Sequence, residues 1–426
     1  MNIVILTAGS RGDTQPYIAL SQRLQQEGYR VTLGAPANFE QFVSSYGISF
    51  APLRADYYQL MDSPEGRDLK SGNPIRVMRQ MQSVIFPLMR RLLDDCWQAA
   101  QGADAIIFHP KVLSAPHLAE KLNIPAIAAI PVPIMTPTAA FPAPGVIHRD
   151  LRGTLNRLTY SAIALATSSF NGIIGDWREQ TLRLSRKSTA VTGSAVHGKP
   201  IPVLYPVSPA VIPVPADYPA TAHMTGYWFT EQRSDWQPSA ELVRFLEAGT
   251  PPVYVGFGSM VAEDTEGFSR TVLEGVRQSG QRALLASGWG GLKASALSEG
   301  MFMLDEAPHD WLFPRVAAVV HHGGAGTVAA GLRSGKPTFI VPFLADQPFW
   351  GQRLYTLGVS PEPVAHKQLT AAALSNALRT LVSNKAMQAK AASIAEHINR
   401  EDGTGEAVRL IRHYVGSAES IYAHQV

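Results

Sequence analysis

Two doubly wound α/β halves facing each other across a cleft are the fold predicted for this chain, and three observations predict it. The same opening occurs twice: a short apolar strand, over residues 2–7 and again over 252–257, runs into a glycine turn, then a helix, then another strand. At 426 residues the chain exceeds what one hydrophobic core usually serves, so two domains of about 200 residues each are expected. A hydrophobic content of 46% against 17% charged residues describes a folded chain with a large core.

In the first half, the opening strand empties into Ala8-Gly-Ser-Arg-Gly12, a helix runs to about Glu27-Gly28, and Tyr29-Arg-Val-Thr-Leu33 follows as a strand. Ile127-Ala-Ala-Ile130 is a further strand leading into a loop over the cleft. The uncharged stretch from Asn123 to His148 carries prolines at 125, 131, 133, 137, 142 and 144, which break any membrane-spanning helix. The first domain is expected over residues 1–215, a proline- and aromatic-rich linker over 216–250, and the second domain over 251–405. In that second domain Val253-Tyr-Val-Gly-Phe enters Gly258-Ser259, a helix runs to about Ser279, and Arg282-Ala-Leu-Leu-Ala286 returns as a strand. Residues 406–426 have the apolar spacing of a helix.

The most informative stretch is His321-His322-Gly323-Gly324-Ala325-Gly326-Thr327 after the apolar run Val316–Val320, a strand emptying into a glycine-rich helix start. Free N–H groups and the positive end of the helix dipole favour an anion there, and the glycines let a diphosphate approach the backbone. A following strand, from Thr338, delivers Asp346-Gln347 beside the same turn. Adjacent strands of a parallel sheet open onto one crevice, so a phosphate joined to a polyol is the implied ligand. His321 and His322 have no carboxylate or third histidine at ligand spacing, so no metal is expected.

The charge balance of +3 comes without a lysine- or arginine-rich run, which argues against nucleic acid as a partner. A mild basic excess is read first as having no specific role, with an anionic donor or a peripheral contact with an acidic membrane surface as the alternative. The single cysteine, Cys96, excludes an intramolecular disulfide, and Met1-Asn-Ile-Val-Ile-Leu-Thr reads as a strand with no secretory signal, so the cytoplasm is the expected setting.

The segment Glu306–Gln347 resembles the donor-binding signature of nucleotide-sugar glycosyltransferases of the two-domain GT-B type, with the sterol 3-beta-glucosyltransferase group as the nearest likeness. Gly9-Ser-Arg-Gly-Asp-Thr-Gln-Pro16, Ser208-Pro-Ala-Val-Ile-Pro213, Pro252–Ser259, Gly288-Trp-Gly-Gly291 and Pro308-His-Asp-Trp311 extend the likeness in order from residue 1 to about 365. It implies two Rossmann-like domains, a C-terminal helix that crosses back to the first, and inverting, metal-independent transfer of a hexose from a UDP-sugar to a lipophilic alcohol, with no cofactor.

On the residues alone, Asp13 at the start of the first helix is either a first-turn acid or the base for the acceptor hydroxyl. The resemblance favours the base. It also implies that His322 stabilises the leaving diphosphate, which Ser10, Gly12, Thr14, Ser259, Gly324, Gly326 and Thr327 help to hold. Ala307 and His309 meet the nucleobase, and Asp346 and Gln347 read the sugar. This chain departs from the plant pattern at Glu306, where an aromatic Trp is usual, and at Ala330, where a ribose-binding Glu is usual. Trp289 is the candidate replacement surface for the base, and uridine and thymidine diphosphate both remain open. Tyr57, Met81, Ile85, Phe86, Met135 and Phe141 supply an apolar lining for a flat acceptor. The competing classes are a nucleotide-sugar epimerase of the same fold and a non-catalytic scaffold or activator.

Overall fold

The computed structural model describes residues 1–54, 81–186, 195–196, 198–230, 236–287 and 297–422. Among these, the first half holds strands β1 (Asn2–Leu6), β2 (Arg30–Pro36), β3 (Ser49–Leu53), β4 (Ala105–Phe108) and β5 (Ala126–Ala129). A separate antiparallel pair, β6 (Ala195–Val196) and β7 (Lys199–Pro200), precedes β8 (Val203–Tyr205) and β9 (Ala222–Met224). The seven main strands are parallel in the order β3-β2-β1-β4-β5-β8-β9.

The second half repeats the theme with β10 (Val253–Gly256), β11 (Ala283–Ala286), β12 (Met301–Leu304), β13 (Ala318–His321) and β14 (Thr338–Ile340) in the order β12-β11-β10-β13-β14. In each sheet the chain winds outward from a central first strand, then crosses and winds the other way. Helices cover both faces, so the strands are apolar on both sides. Ile3 and Ile5 enter one core layer while Val4 and Leu6 enter the opposite one. Val253 and Val255 alternate with Tyr254 in the same manner.

The span expected as a linker is structured at both ends. β9 is an edge strand of the first sheet, and the helix Ala240–Glu247 packs Leu242 against Tyr254 and Leu304 of the second half. The first sheet therefore continues past residue 216. Pro213, Pro215 and Pro219 belong to the approach to β9, and a three-residue edge strand is too short to announce itself by alternation. The chain crosses between the halves beyond Met224, where Tyr227 and Trp228 are buried.

The helix Gly403–Tyr422 crosses back, laying Ala407, Val408, Leu410, Ile411 and Val415 against Tyr17, Leu20 and Leu24 of the helix Arg11–Gln26. At the crossing, Trp228 Nε1 donates to the Gly403 carbonyl at 3.1 Å. Ile411→Ala is expected to lower unfolding stability by about 2–4 kcal/mol, the usual result of emptying a buried aliphatic site. Urea unfolding checks it, and a change within about 0.5 kcal/mol would mean that the helix does not hold the first half.

Candidate active site

Both sheets reverse their winding at a switch point, between β1 and β4 and between β10 and β13, and the crevice outside such strand ends is where α/β folds bind ligands. The turn after β1 carries Gly9 to Asp13, and the turn after β4 carries His109 and Lys111. The turn after β10 carries Gly258 and Ser259, and that after β13 carries His322 to Gly324. The helix that starts at Arg11 meets the one that starts at Ala325 across the cleft. Arg11 Nη1 donates to Glu306 Oε1 at 2.6 Å, the Phe141 and Phe349 rings lie 5.5 Å apart, and Gly145 abuts the Ala345–Asp346 backbone.

Asp13 is the electrostatic centre of the first half. Its Oδ2 accepts the Ser10 backbone N–H at 2.7 Å and the Ser10 hydroxyl at 2.9 Å, while its Oδ1 accepts from Lys111 Nζ at 2.9 Å. His109 Nδ1 accepts the Lys111 backbone N–H at 3.0 Å, which leaves the proton on Nε2, 3.4 Å from Asp13 Oδ1. Burial alone would raise the Asp13 pKa. The Lys111 charge, the His109 hydrogen bond and the Ser10 backbone N–H together override it and hold the carboxyl well below the usual carboxylate range. Burial also pushes His109 down, keeping its imidazole neutral. Gly9, at φ +130°, makes the arrangement possible, because a Cβ there would lie 2.3 Å from Asp13 Oδ2 and 2.9 Å from Lys111 Nζ.

The donor half is built from neutral groups. Gly323, at φ +94°, turns the chain out of β13, and Gly324 is the N-cap of the helix Ala325–Arg333. A Cβ on Gly324 would stand 2.5 Å from His322 Nε2, and one on Gly258 would stand 3.1 Å from His322 Cε1, so the imidazole is wedged between two glycine turns. Burial lowers the His322 pKa to about 4, so at neutral pH it is an uncharged hydrogen-bonding group. His321 is pushed further down by burial and by His322, and its Nδ1 accepts the Gly323 N–H at 3.0 Å. His321 Nε2 and His322 Nδ1 are buried with no hydrogen-bond partner among the described residues. His309 stacks on Phe313 with ring centroids 4.3 Å apart, and burial followed by the Arg11 charge lowers it to about 4.

Residues 3–141 match the glycosyltransferase family 28 N-terminal domain, and residues 291–411 match the erythromycin biosynthesis protein CIII-like C-terminal domain. Two sterol 3-beta-glucosyltransferases of Arabidopsis thaliana are each 36% identical, over 98% and 96% of this chain and 66% and 67% of their own lengths. The chain belongs to the sterol 3-beta-glucosyltransferase family. A sterol 3-beta-glucosyltransferase of Yarrowia lipolytica is 35% identical over 99% of this chain, which spans only 29% of that protein. Among solved structures, the kitacinnamycin glycosyltransferase superposes with TM-score 0.73 at 18% identity, covering 97% of this chain and 99% of that one. The calicheamicin glycosyltransferase CalG4 gives 0.70 at 16% identity, covering 97% and 98%, and both share the GT-B fold.

In this member of the family, Ser10 caps and Gly12 and Asp13 open the helix after β1, Ser259 and His322 stand in the turns after β10 and β13, and Gly324 caps the helix whose first turn holds Gly326 and Thr327. Thr14 does not join them. It is fully buried, and its hydroxyl bonds the Ser10 carbonyl at 3.2 Å, because the fourth helix position points into the core. Gln347 is also turned inward: its Oε1 accepts the Phe343 and Leu344 N–H groups at 2.7 and 3.1 Å, which braces the loop. Asp346 Oδ2 accepts from Trp350 Nε1 at 2.9 Å, and burial raises the Asp346 pKa. Ala307 packs beside the core layer that holds Tyr254, next to the exposed Glu306. On the acceptor side, Ile85 and Phe86 are half-buried, and Phe86 meets Phe170 edge-on at 6.5 Å. Met135 is a core residue of the first half, which corrects its expected place on the lining. Tyr57, Trp289 and the Met81 side chain lie outside the described residues.

His109 and Lys111 are the members that sequence reasoning missed. Their signal was available: β4 is an apolar run that ends in His109-Pro110-Lys111, as β13 ends in His321-His322. The Asp13 carboxyl is held below its unfolded value of 3.8, so its cluster stabilises the fold above that value and the contribution is lost only as pH falls through the depressed value. Lys111→Met should let burial raise the Asp13 pKa, so an acid limb absent from the parent enters the kcat/KM profile. Superimposable pH profiles would show that Lys111 does not set the ionisation of Asp13. Gly9→Ala should lower activity at least tenfold, through displacement of the carboxylate.

Proposed function

We propose that this chain transfers glucose from UDP-glucose to the 3-hydroxyl of a sterol, with inversion and without a metal ion. The observation that carries the reading is an ionised, partly exposed carboxylate, Asp13, opposite a histidine-glycine helix start suited to a diphosphate. The activity named for its sterol 3-beta-glucosyltransferase relatives supplies the substrate class.

Sugar transfer requires a base on one side of the anomeric carbon and charge stabilisation on the other. On the donor side, the Gly324–Thr327 helix start offers N–H groups and the positive end of a dipole, Ser259 faces it from the β10 turn, and His322 offers a neutral imidazole. An arriving diphosphate raises the His322 pKa again, so the histidine meets the growing leaving-group charge with a stronger hydrogen bond or a proton.

On the acceptor side, His109 is a poor base because both ring nitrogens are occupied, one by the Lys111 N–H and one by Asp13. Asp13 retains 17% side-chain exposure, and the Lys111 side chain that covers it is 52% exposed. An acceptor hydroxyl that displaces the Lys111 ammonium takes its place on Oδ1, and removal of the countercharge makes the carboxylate more basic as the proton is needed. His109 then fixes the carboxylate's orientation. Asp346, held through one oxygen by Trp350, has a second oxygen for a sugar hydroxyl.

Product mass after incubation with UDP-glucose and a panel of sterols and other lipophilic alcohols tests the reading, and a steryl monoglucoside that forms in excess chelator is expected. Asp13→Asn should lower turnover by about 10²–10⁴ while UDP affinity is retained. Near-normal turnover in that variant would remove the base. Activity abolished by a chelator and restored by a divalent ion would overturn the metal-independent mechanism.

A further inference from the structure

The helix pair that follows the cleft loop is inside out. In the helix Gly153–Thr159 the two buried residues, Asn156 and Thr159, are polar: Asn156 Nδ2 donates to the Ala139 carbonyl at 3.1 Å and to Asp150 at 2.7 Å, and Thr159 Oγ1 accepts the Ala143 N–H at 2.7 Å. The next helix, Ser161–Ser168, buries none of its side chains. Leu155, Leu158 and Leu165 are 55%, 64% and 74% exposed, and their spacing puts them on one stripe with the exposed Ala162 between them. An ordinary surface helix has the opposite polarity. Together with Val146, these leucines make four of the ten large hydrophobic residues that the described chain leaves exposed, gathered within 20 positions.

Charge frames the stripe. From Thr138 to Gly175 the chain carries three arginines, Arg149, Arg152 and Arg157, and one acid, Asp150. Asp150 is already engaged by the Arg152 backbone N–H at 2.8 Å and by Asn156. The three arginines are exposed, and among the described residues none stands within salt-bridge distance of a carboxylate, although Arg157 is near enough to Asp217 to help lower its pKa. An apolar stripe rimmed by cations matches the boundary between acyl chains and anionic headgroups. The position fits as well. Tyr160 reaches the Phe141 carbonyl at 3.4 Å, Gly145 abuts Ala345 beside Asp346, and the far end, Phe170, meets Phe86. The stripe therefore borders the route to the apolar residues proposed for the acceptor.

We propose that Val146, Leu155, Leu158 and Leu165, with Arg149, Arg152 and Arg157, form a docking surface for an anionic lipid bilayer, which brings the cleft to a membrane-dissolved acceptor. The acceptor part of this statement rests on the function proposed above, whereas the docking surface does not. Co-sedimentation of the full chain with sterol-free vesicles, of phosphatidylcholine alone or mixed with phosphatidylglycerol, separates the two. Binding to the mixed vesicles that weakens with salt is expected, with weaker binding to phosphatidylcholine alone. The variant Leu155→Ser/Leu158→Ser/Leu165→Ser should lose partitioning roughly tenfold or more, and Arg149→Gln/Arg152→Gln/Arg157→Gln should lose mainly the phosphatidylglycerol-dependent part. Both should keep the parent's circular dichroism and its transfer to a detergent-dispersed acceptor. A parent that stays in the supernatant, or leucine and arginine variants that bind as well as the parent, would overturn the proposal. So would a parent that light scattering shows to be a dimer broken by the leucine changes without vesicle binding, because the occupant would then be a second copy. Vesicle binding by a chain that fails to glucosylate sterols would overturn the function and leave the surface standing.

Discussion

The carboxylate of Asp13 is the constraint around which the first half is arranged. A carboxylate removed from water must be compensated, and here the compensation comes from two strands at once. Ser10 belongs to the turn after β1, whereas Lys111 and His109 belong to the turn after β4, and only the parallel pairing of those strands brings the turns together. Gly9 must then lack a side chain, and the loop must pass through a backbone conformation that other residues rarely adopt. Fold, glycine and carboxylate thus depend on one another.

The second half solves a different electrostatic problem. In the proposed function its anion is a substrate's diphosphate, so permanent charge on the three histidines would have to be stabilised without a partner before binding. Burial instead holds His309 and His322 near 4 and His321 well below its ordinary value. Backbone N–H groups, a helix dipole and neutral imidazoles remain as donors, and they cost little while the cleft is open to water. The Arg11–Glu306 pair across the cleft is of another kind. With side chains 52% and 70% exposed it contributes about 0–1 kcal/mol, so it is weak enough to break as a nucleotide enters.

Much of this was legible in the sequence, because strand-turn-helix openings are local. The glycines after β1, β10 and β13 mark their own turns, and the motif order identifies the family. The His109–Lys111 pair left only a local trace, polar residues after an apolar run, since its meaning depends on β4 lying beside β1 about a hundred residues away in the chain. Thr14 and Gln347 misled for the opposite reason. Each sits within a binding motif, but helix phase turns Thr14 into the core, and the loop before Gln347 needs its amide as a brace. The linker was started too early, at 216, because proline density marks turns, and here those turns precede one more strand of the first sheet.

The central claim is that Asp13 stays ionised because of what surrounds it, and its carboxyl carbon reports that directly. In the full chain labelled with carboxyl-¹³C aspartate, the Asp13 resonance, assigned by its loss in Asp13→Asn, should hold its ionised shift from neutral pH down to acid unfolding. A titration midpoint at or above the ordinary aspartate value of 3.8 would contradict the account, because Lys111 and His109 would then not govern the charge on which the rest of the site depends.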